Sequence, residues 1–177
     1  MKQKRQAQEA LFNRFAYMVK GVCMRYSSSE EEADDFLQDT FLKTFQKLDQ
    51  YSNVGALGGW IRRIAVNTAL EHIRKQKMIN VKLSVEMESV LPDDAGDHLF
   101  EKMDVDVLTA KIQSLPPGYR TVFNLFAVEG YSHKEIAEKM KISEGTSKSQ
   151  FSRARKMLVA LIQKDELETE KKLRYVD

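Results

Sequence analysis

This chain is short of the residues that staple, break or functionalise a fold. Among its 177 residues there is one cysteine, Cys23, so no disulfide can form within it. A lone thiol set among apolar neighbours fits a reducing compartment and an inert, buried role. Its three histidines, His72, His98 and His133, are scattered and share no ligand spacing with Cys23 or with a carboxylate pair, so no metal is expected. The glycines form no phosphate loop, and no Ser-His-Asp grouping has catalytic spacing, so neither cofactor nor catalytic residue is expected and the chain does not read as an enzyme. No apolar run approaches the roughly 20 residues needed to cross a bilayer. The polar start, Met1 to Glu9, lacks the apolar segment of a signal peptide, which predicts a cytoplasmic protein with no membrane insertion. Even net charge is scarce: a formal +2 excludes any argument for nucleic-acid binding from the total alone.

The charge is nevertheless sorted. Acidic residues crowd Glu30 to Asp39, and basic ones crowd Arg62 to Lys77 and again Lys141 to Lys156. Helical periodicity fills Gln8 to Tyr26, Glu31 to Leu48 and Gly59 to about Lys75. From Gln76 to Asp97 the pattern breaks around Pro92, Asp93, Asp94 and Gly96. It returns near Phe100 or Val105 and runs to Ile162, before a highly charged end that is expected to fray. The expected fold is all-α: a helical domain over 1–75, a flexible linker over 76–104, a second helical domain over 105–165 and a charged tail over 166–177.

The second domain carries the most informative string. Ser132 caps a helix, with Glu135 placed to reach back as a capping box and Ile136, Ala137 and Met140 forming a buried stripe. Ser143 caps another helix after a very short turn, the layout of a helix-turn-helix. That next helix puts Phe151, Ala154, Leu158 and Ile162 on one side, and Lys148, Ser149, Ser152, Arg153 and Lys156 on or beside the other. Spacing alone fits an amphipathic hairpin with a solvated basic side equally well.

The wider string resembles region 4 of bacterial sigma factors, the promoter-reading subunits of RNA polymerase, in their compact extracytoplasmic-function class. Leu115-Pro-Pro117 matches the opening of that domain, Ile136-Ala137 its first motif helix, and Gly145-Thr146 with Arg153-Ala-Arg155 its recognition helix. The resemblance implies that Lys148, Ser149, Ser152, Arg153 and Lys156 meet the minus-thirty-five element. Gln150 and Ser152 stand where relatives often carry larger or basic residues.

In the first domain, a turn of about 100° per residue groups Leu37, Phe41, Phe45 and Leu48 toward a core. Asp35, Gln38, Asp39 and Leu42 fall opposite, an apolar residue ringed by polar ones. Asp35, Phe36, Gln38, Asp39, Phe41 and Leu42 look like sigma region 2.2, which implies that this face docks on core RNA polymerase. The segment Trp60-Ile-Arg-Arg-Ile-Ala-Val-Asn67 is apolar nearly all round, as a central helix should be, with Trp60 expected in packing. Arg63, Asn67 and Arg74 share one narrow strip, with Arg62 beside it. The segment is similar to regions 2.3 and 2.4, which implies that Arg62, Arg63, Asn67 and Arg74, with a loop from Tyr51 to Gly59, hold the opened minus-ten strand. Asparagine can donate to and accept from one base edge while arginines neutralise phosphate. The family often has an aromatic a few residues before the tryptophan, where this chain has Ala56, Leu57 and Gly58.

The resemblance thus implies a sigma factor whose partners are core RNA polymerase and promoter DNA, double- and single-stranded, and it allows an anti-sigma factor. An acidic linker, with Glu86, Glu88, Asp93 and Asp94, would lie near the template strand. Two other classes fit parts of the pattern: a free-standing helix-turn-helix regulator, for which Val159 to Val176 offers no dimerising heptad run, and a helical protein-interaction module with incidental basic faces.

Overall fold

The computed structural model describes residues 2–52, 54–79 and 104–174. The chain divides into two compact units, Met1–Lys82 and Leu83–Asp177, and the described residues form helices and no strand. Most of the segment expected as a linker, 80–103, lies outside the described residues, and the acidic positions 86, 88, 93 and 94 lie there too.

The first unit is three mutually packed helices, α1 (Lys2–Tyr26), α2 (Glu30–Lys47) and α3 (Leu57–Ile79). Val19, Val22, Cys23 and Tyr26 recur at helical spacing along α1 and are buried. The chain turns within three residues, and Ser29 then caps α2 by accepting from the Glu32 backbone N–H at 3.2 Å. Glu30, Glu31 and Glu32 crowd that first turn, where the helix dipole favours negative charge.

The core side of α2 differs from the expected one. Ala33, Phe36, Thr40, Phe41 and Thr44 are buried, whereas Leu37 and Phe45 are half-buried and Leu48 is exposed. Two causes account for the rotation. Thr40 and Thr44 donate their hydroxyls to Phe36 O at 2.7 Å and Thr40 O at 2.8 Å, so these polar residues enter the core with their hydrogen bonds made. After Lys47 the chain tightens into a 3-10 turn, Leu48–Gln50, which carries Leu48 off the helical stripe. α3 buries Ile61, Ile64, Ala65, Val66, Ala69, Leu70 and Ile73, a breadth that suits its central position. It extends past the expected end at Lys75 to Ile79.

The second unit opens with α4 (Val105–Ser114), capped by Asp104, and α5 (Pro117–Phe123). The Pro116-Pro117 pair explains the break: the residue before a proline is driven out of the helical region, and Leu115 is extended at φ −67°, ψ 148°. Pro117 then starts α5, where its missing N–H costs nothing. Arg120, 2% exposed, donates from Nη1 to Gln113 O at 2.7 Å and so caps the end of α4 from inside. A π-helical turn, Asn124–Val128, and Gly130 at φ 75° lead to α6 (His133–Met140) and α7 (Glu144–Arg174). Ile112, Leu115, Phe123, Ala154 and Leu158 form one core cluster, with Leu108, Tyr119 and Phe151 packed on it. Lys111 ties α4 to α7 by donating to Leu161 O and pairing with Asp165.

α7 passes its expected end at Ile162 and continues to Arg174. No glycine or proline follows Gly145 to interrupt it.

Burial raises the Cys23 thiol to a pKa of about 12, against a smaller opposing hydrogen bond from Thr40. A thiolate is therefore absent from the native state near neutrality. An aromatic disulfide reagent should label Cys23 rapidly in denaturant and only at the rate of unfolding in buffer. Fast labelling of the native chain would contradict this packing.

Candidate functional site

Three exposed surfaces carry the polar residues singled out in the sequence, and each is set by a helix whose other side is buried. On α2, Asp35, Gln38 and Leu42 are exposed together, with Leu42 at 52%. Asp39 is half-buried, and its Oδ2 lies 2.7 Å from His72 Nε2 on α3. The His72 ring meets that of Phe36 at 4.7 Å in a tilted contact, so this side chain joins the core to the α2 surface. His72 had no assigned role in the sequence; its position among the apolar residues of α3, with an acidic helix nearby in the chain, is the signal that could have found it.

On α3, Arg63 and Asn67 are exposed one turn apart, and Arg74 is half-buried on the same strip. Arg62 is also half-buried and lies about 100° round the helix from Arg63. Glu71 is a further member of the exposed strip, one turn past Asn67, and the sequence reading passed over it. Lys43 of α2 pairs with it at 2.6 Å.

The loop before α3 is shorter than expected, because Gly58 and Gly59 already belong to the helix. Tyr51 closes it by donating its hydroxyl to Gly55 O at 2.6 Å, across a left-handed Gly55 at φ 82°. Trp60 is half-buried and meets the Tyr51 ring at 5.4 Å, a packing role on the rim of the core. A side chain at Gly58 would meet Phe15 at 3.2 Å, so this glycine lets α1 approach the start of α3.

In the second unit, α6 and α7 form the helix-turn-helix. The capping box is complete: the Ser132 backbone N–H and hydroxyl donate to Glu135 Oε2 at 2.8 and 2.7 Å, and the Glu135 N–H returns to Ser132 Oγ. Those donors hold the Glu135 carboxyl below the usual carboxylate range, the Ser132 hydroxyl contributing most. Lys141, at φ 54°, ψ 49°, takes the left-handed conformation that ends α6. Ser143 then accepts from the Thr146 N–H at 3.0 Å and starts α7.

Side chains also lock the two motif helices. His133 Nδ1 lies 2.9 Å from Ser147 Oγ, and the His133 ring stacks at 4.3 Å on Phe126, which itself meets Phe151 at 4.5 Å. Scattered histidines gave no sign of this; a histidine directly after a capping serine, beside an aromatic turn, was the available cue. Along α7, Lys148 and Lys156 are exposed and Ser149, Ser152 and Arg153 are half-buried, while Ser147, Ala154, Leu158 and Ile162 are buried. Of the Arg-Ala-Arg run, Arg155 is buried with the packing side and Arg153 belongs to the open side. Lys148 pairs with Glu144 at 2.8 Å, and this contact leads the causes that hold the Glu144 carboxyl below its ordinary range.

Known proteins share this layout. The family described as Sigma-70 region 2 matches residues 11–78, and that described as Sigma-70, region 4 matches 106–158. The ECF RNA polymerase sigma-E factor of Haemophilus influenzae is 30% identical, over 86% of each chain. The chain belongs to the extracytoplasmic-function sigma factors. Such proteins are DNA-binding regulators of transcription initiation rather than enzymes. The ECF RNA polymerase sigma factor SigE of Mycolicibacterium smegmatis is 28% identical over 91% of this chain, which spans 63% of that longer relative. Among solved structures, the sigma factor RpoE in complex with the anti-sigma factor NepR from Bartonella quintana matches with a TM-score of 0.52 and 25% identity, covering 88% of this chain and 96% of that one. Among the described residues of this sigma factor, no helix is long and apolar enough to cross a membrane.

The capping box sets a pH test. A carboxyl whose folded pKa is depressed stabilises the helix fully above its unfolded pKa and loses that contribution as pH falls through the folded value. Ser132→Ala should lower the second unit's stability by about 0.5–2 kcal/mol at neutral pH. The gap between parent and variant in urea melts should shrink on acidification below the ordinary glutamate range. A gap constant with pH would argue against the Glu135 partnership.

Proposed function

We propose that this sigma factor binds core RNA polymerase through the α2 face with Asp35, Gln38, Asp39 and Leu42, reads the minus-thirty-five element with α7, and holds the opened minus-ten strand along α3. The observation that carries the reading is the pairing, in one chain, of a capped helix-turn-helix whose open side bears Lys148, Ser149, Ser152, Arg153 and Lys156 with a first unit whose central helix exposes Arg63 and Asn67.

Each surface has chemistry suited to its task. Leu42 supplies an apolar anchor within an acidic rim, the pattern of a small protein-docking site. On α7, Arg153 has the forked donors that read guanine edges in the major groove, and the exposed Lys156 suits a phosphate. On α3, Asn67 can bond a base edge, with Arg62, Arg63 and Arg74 beside it for the backbone. Opening a base step costs on the order of a few kcal/mol, which contacts to the unpaired strand offset. An anti-sigma protein is a further partner of this reading, supported by the similarity to a sigma factor solved in such a complex.

The deciding experiment is promoter-specific transcription by core polymerase with and without the chain. Specific initiation only in its presence supports the reading; duplex operator binding without polymerase, as a free-standing regulator would show, counts against it. Asp35→Ala with Leu42→Ala should weaken core binding in a fluorescence titration while leaving helicity and melting nearly unchanged. Arg153→Ala should cost about 1–3 kcal/mol of promoter affinity and relax selection at one base pair, whereas Lys156→Ala should weaken all duplexes alike and lower the salt slope by about 1. Unchanged selectivity of the Arg153 variant would remove that residue from the reading role.

A further inference from the structure

The exposed strip of α3 contains a residue of the wrong sign for a nucleic-acid surface. Glu71 follows Asn67 by one turn and is exposed, and its carboxylate would repel the phosphates of a strand drawn along Arg63 and Asn67. The structure answers that charge from another helix: Lys43 Nζ of α2 lies 2.6 Å from Glu71 Oε2, with side chains 28% and 49% exposed. Asp39, one turn before Lys43, lies 2.7 Å from His72 Nε2 at the same junction. An exposed ion pair adds little to folding stability, so the place of Lys43 is more informative than its energy.

We propose that Lys43 is a positioning residue of the minus-ten surface, which neutralises Glu71 so that a single strand can follow α3 past Asn67. This rests on the reading of α3 as the single-strand surface. Lys43 acts through Glu71 and need not touch a base. Removing its charge leaves the Glu71 carboxylate without this partner; removing the carboxylate as well restores the net charge of the pair.

The test uses the full chain with core polymerase on fork DNA carrying an unpaired non-template strand, with fully paired DNA for comparison. Affinity is measured over a range of salt for the parent, Lys43→Met, Glu71→Gln, the double variant and Asn67→Ala. Core binding and melting are recorded for each, because Lys43 neighbours Leu42. Lys43→Met should weaken the fork complex on the order of threefold at low salt, a loss that shrinks as salt screens the exposed carboxylate. Glu71→Gln should bind the fork as well as the parent or better, and the double variant, whose net charge equals that of the parent pair, should match the parent. If Glu71→Gln weakens the fork complex as Lys43→Met does, and the double variant recovers nothing, the pair is only a staple between helices and the proposal is overturned. If Asn67→Ala weakens the fork complex but Lys43→Met does not, the screening role falls and the α3 reading stands. If neither variant has an effect, both fall.

Discussion

A helix that serves two surfaces has its rotation about its own axis fixed by the side it buries, and this constraint governs both units. On α7, burial of Ser147, Ala154, Leu158 and Ile162 leaves Lys148 and Lys156 exposed and Ser149, Ser152 and Arg153 partly so. On α3, burial of Ile61, Ala65, Leu70 and Ile73 leaves Arg63, Asn67 and Glu71 outside. A polar side chain gains its direction from apolar contacts made on the opposite side of the same backbone. The apolar core is thus the positioning device for every charged residue proposed to act, and a rotation by one residue would turn each surface by about 100°.

Short connections enforce the same precision along the chain. The turn between α6 and α7 fits its length because Lys141 accepts the left-handed conformation, which costs a non-glycine residue roughly 1 kcal/mol or more, and because Ser143 caps at once. The His133–Ser147 hydrogen bond and the Phe126–His133 stack hold the start of α6 against α7. Arg120, buried yet donating to Gln113, does comparable work between α4 and α5. Several polar side chains in this fold, Ser29, Arg120, Ser132 and Ser143 among them, close helix ends, where backbone groups lack partners within the helix.

What the sequence made legible follows from how local each signal is. The Ser132 capping box and the core positions Ile136, Ala154 and Leu158 depend on neighbours within one or two turns, and periodicity finds them. The core side of α2 was misread because a pattern of apolar letters assigns threonine outward, while Thr40 and Thr44 satisfy their hydroxyls on their own helix and go in. The end of α7 was set too early because a charged stretch without an apolar stripe looks like a frayed tail, yet its residues favour helix. Least legible were the partners of Asp39 and Glu71, which lie on a different helix, 33 and 28 residues away in the chain. Only tertiary packing brings those charges together.

That distribution of charge explains how a chain of formal net charge +2 can still be built for nucleic acid. With so small a total, the long-range field that speeds association of strongly basic proteins is weak, and attraction falls off within about 10 Å at ordinary salt. Useful electrostatics must then be local: acidic groups gathered on the outer side of α2, basic groups kept on the open sides of α3 and α7, and stray carboxylates on those sides neutralised in place. Glu144 is paired with Lys148 on α7 as Glu71 is with Lys43 beside α3. Such a surface holds DNA well only after something else has brought the strand within reach. For the proposed function this is an advantage, because weak attraction by the free chain leaves promoter choice to the assembled polymerase.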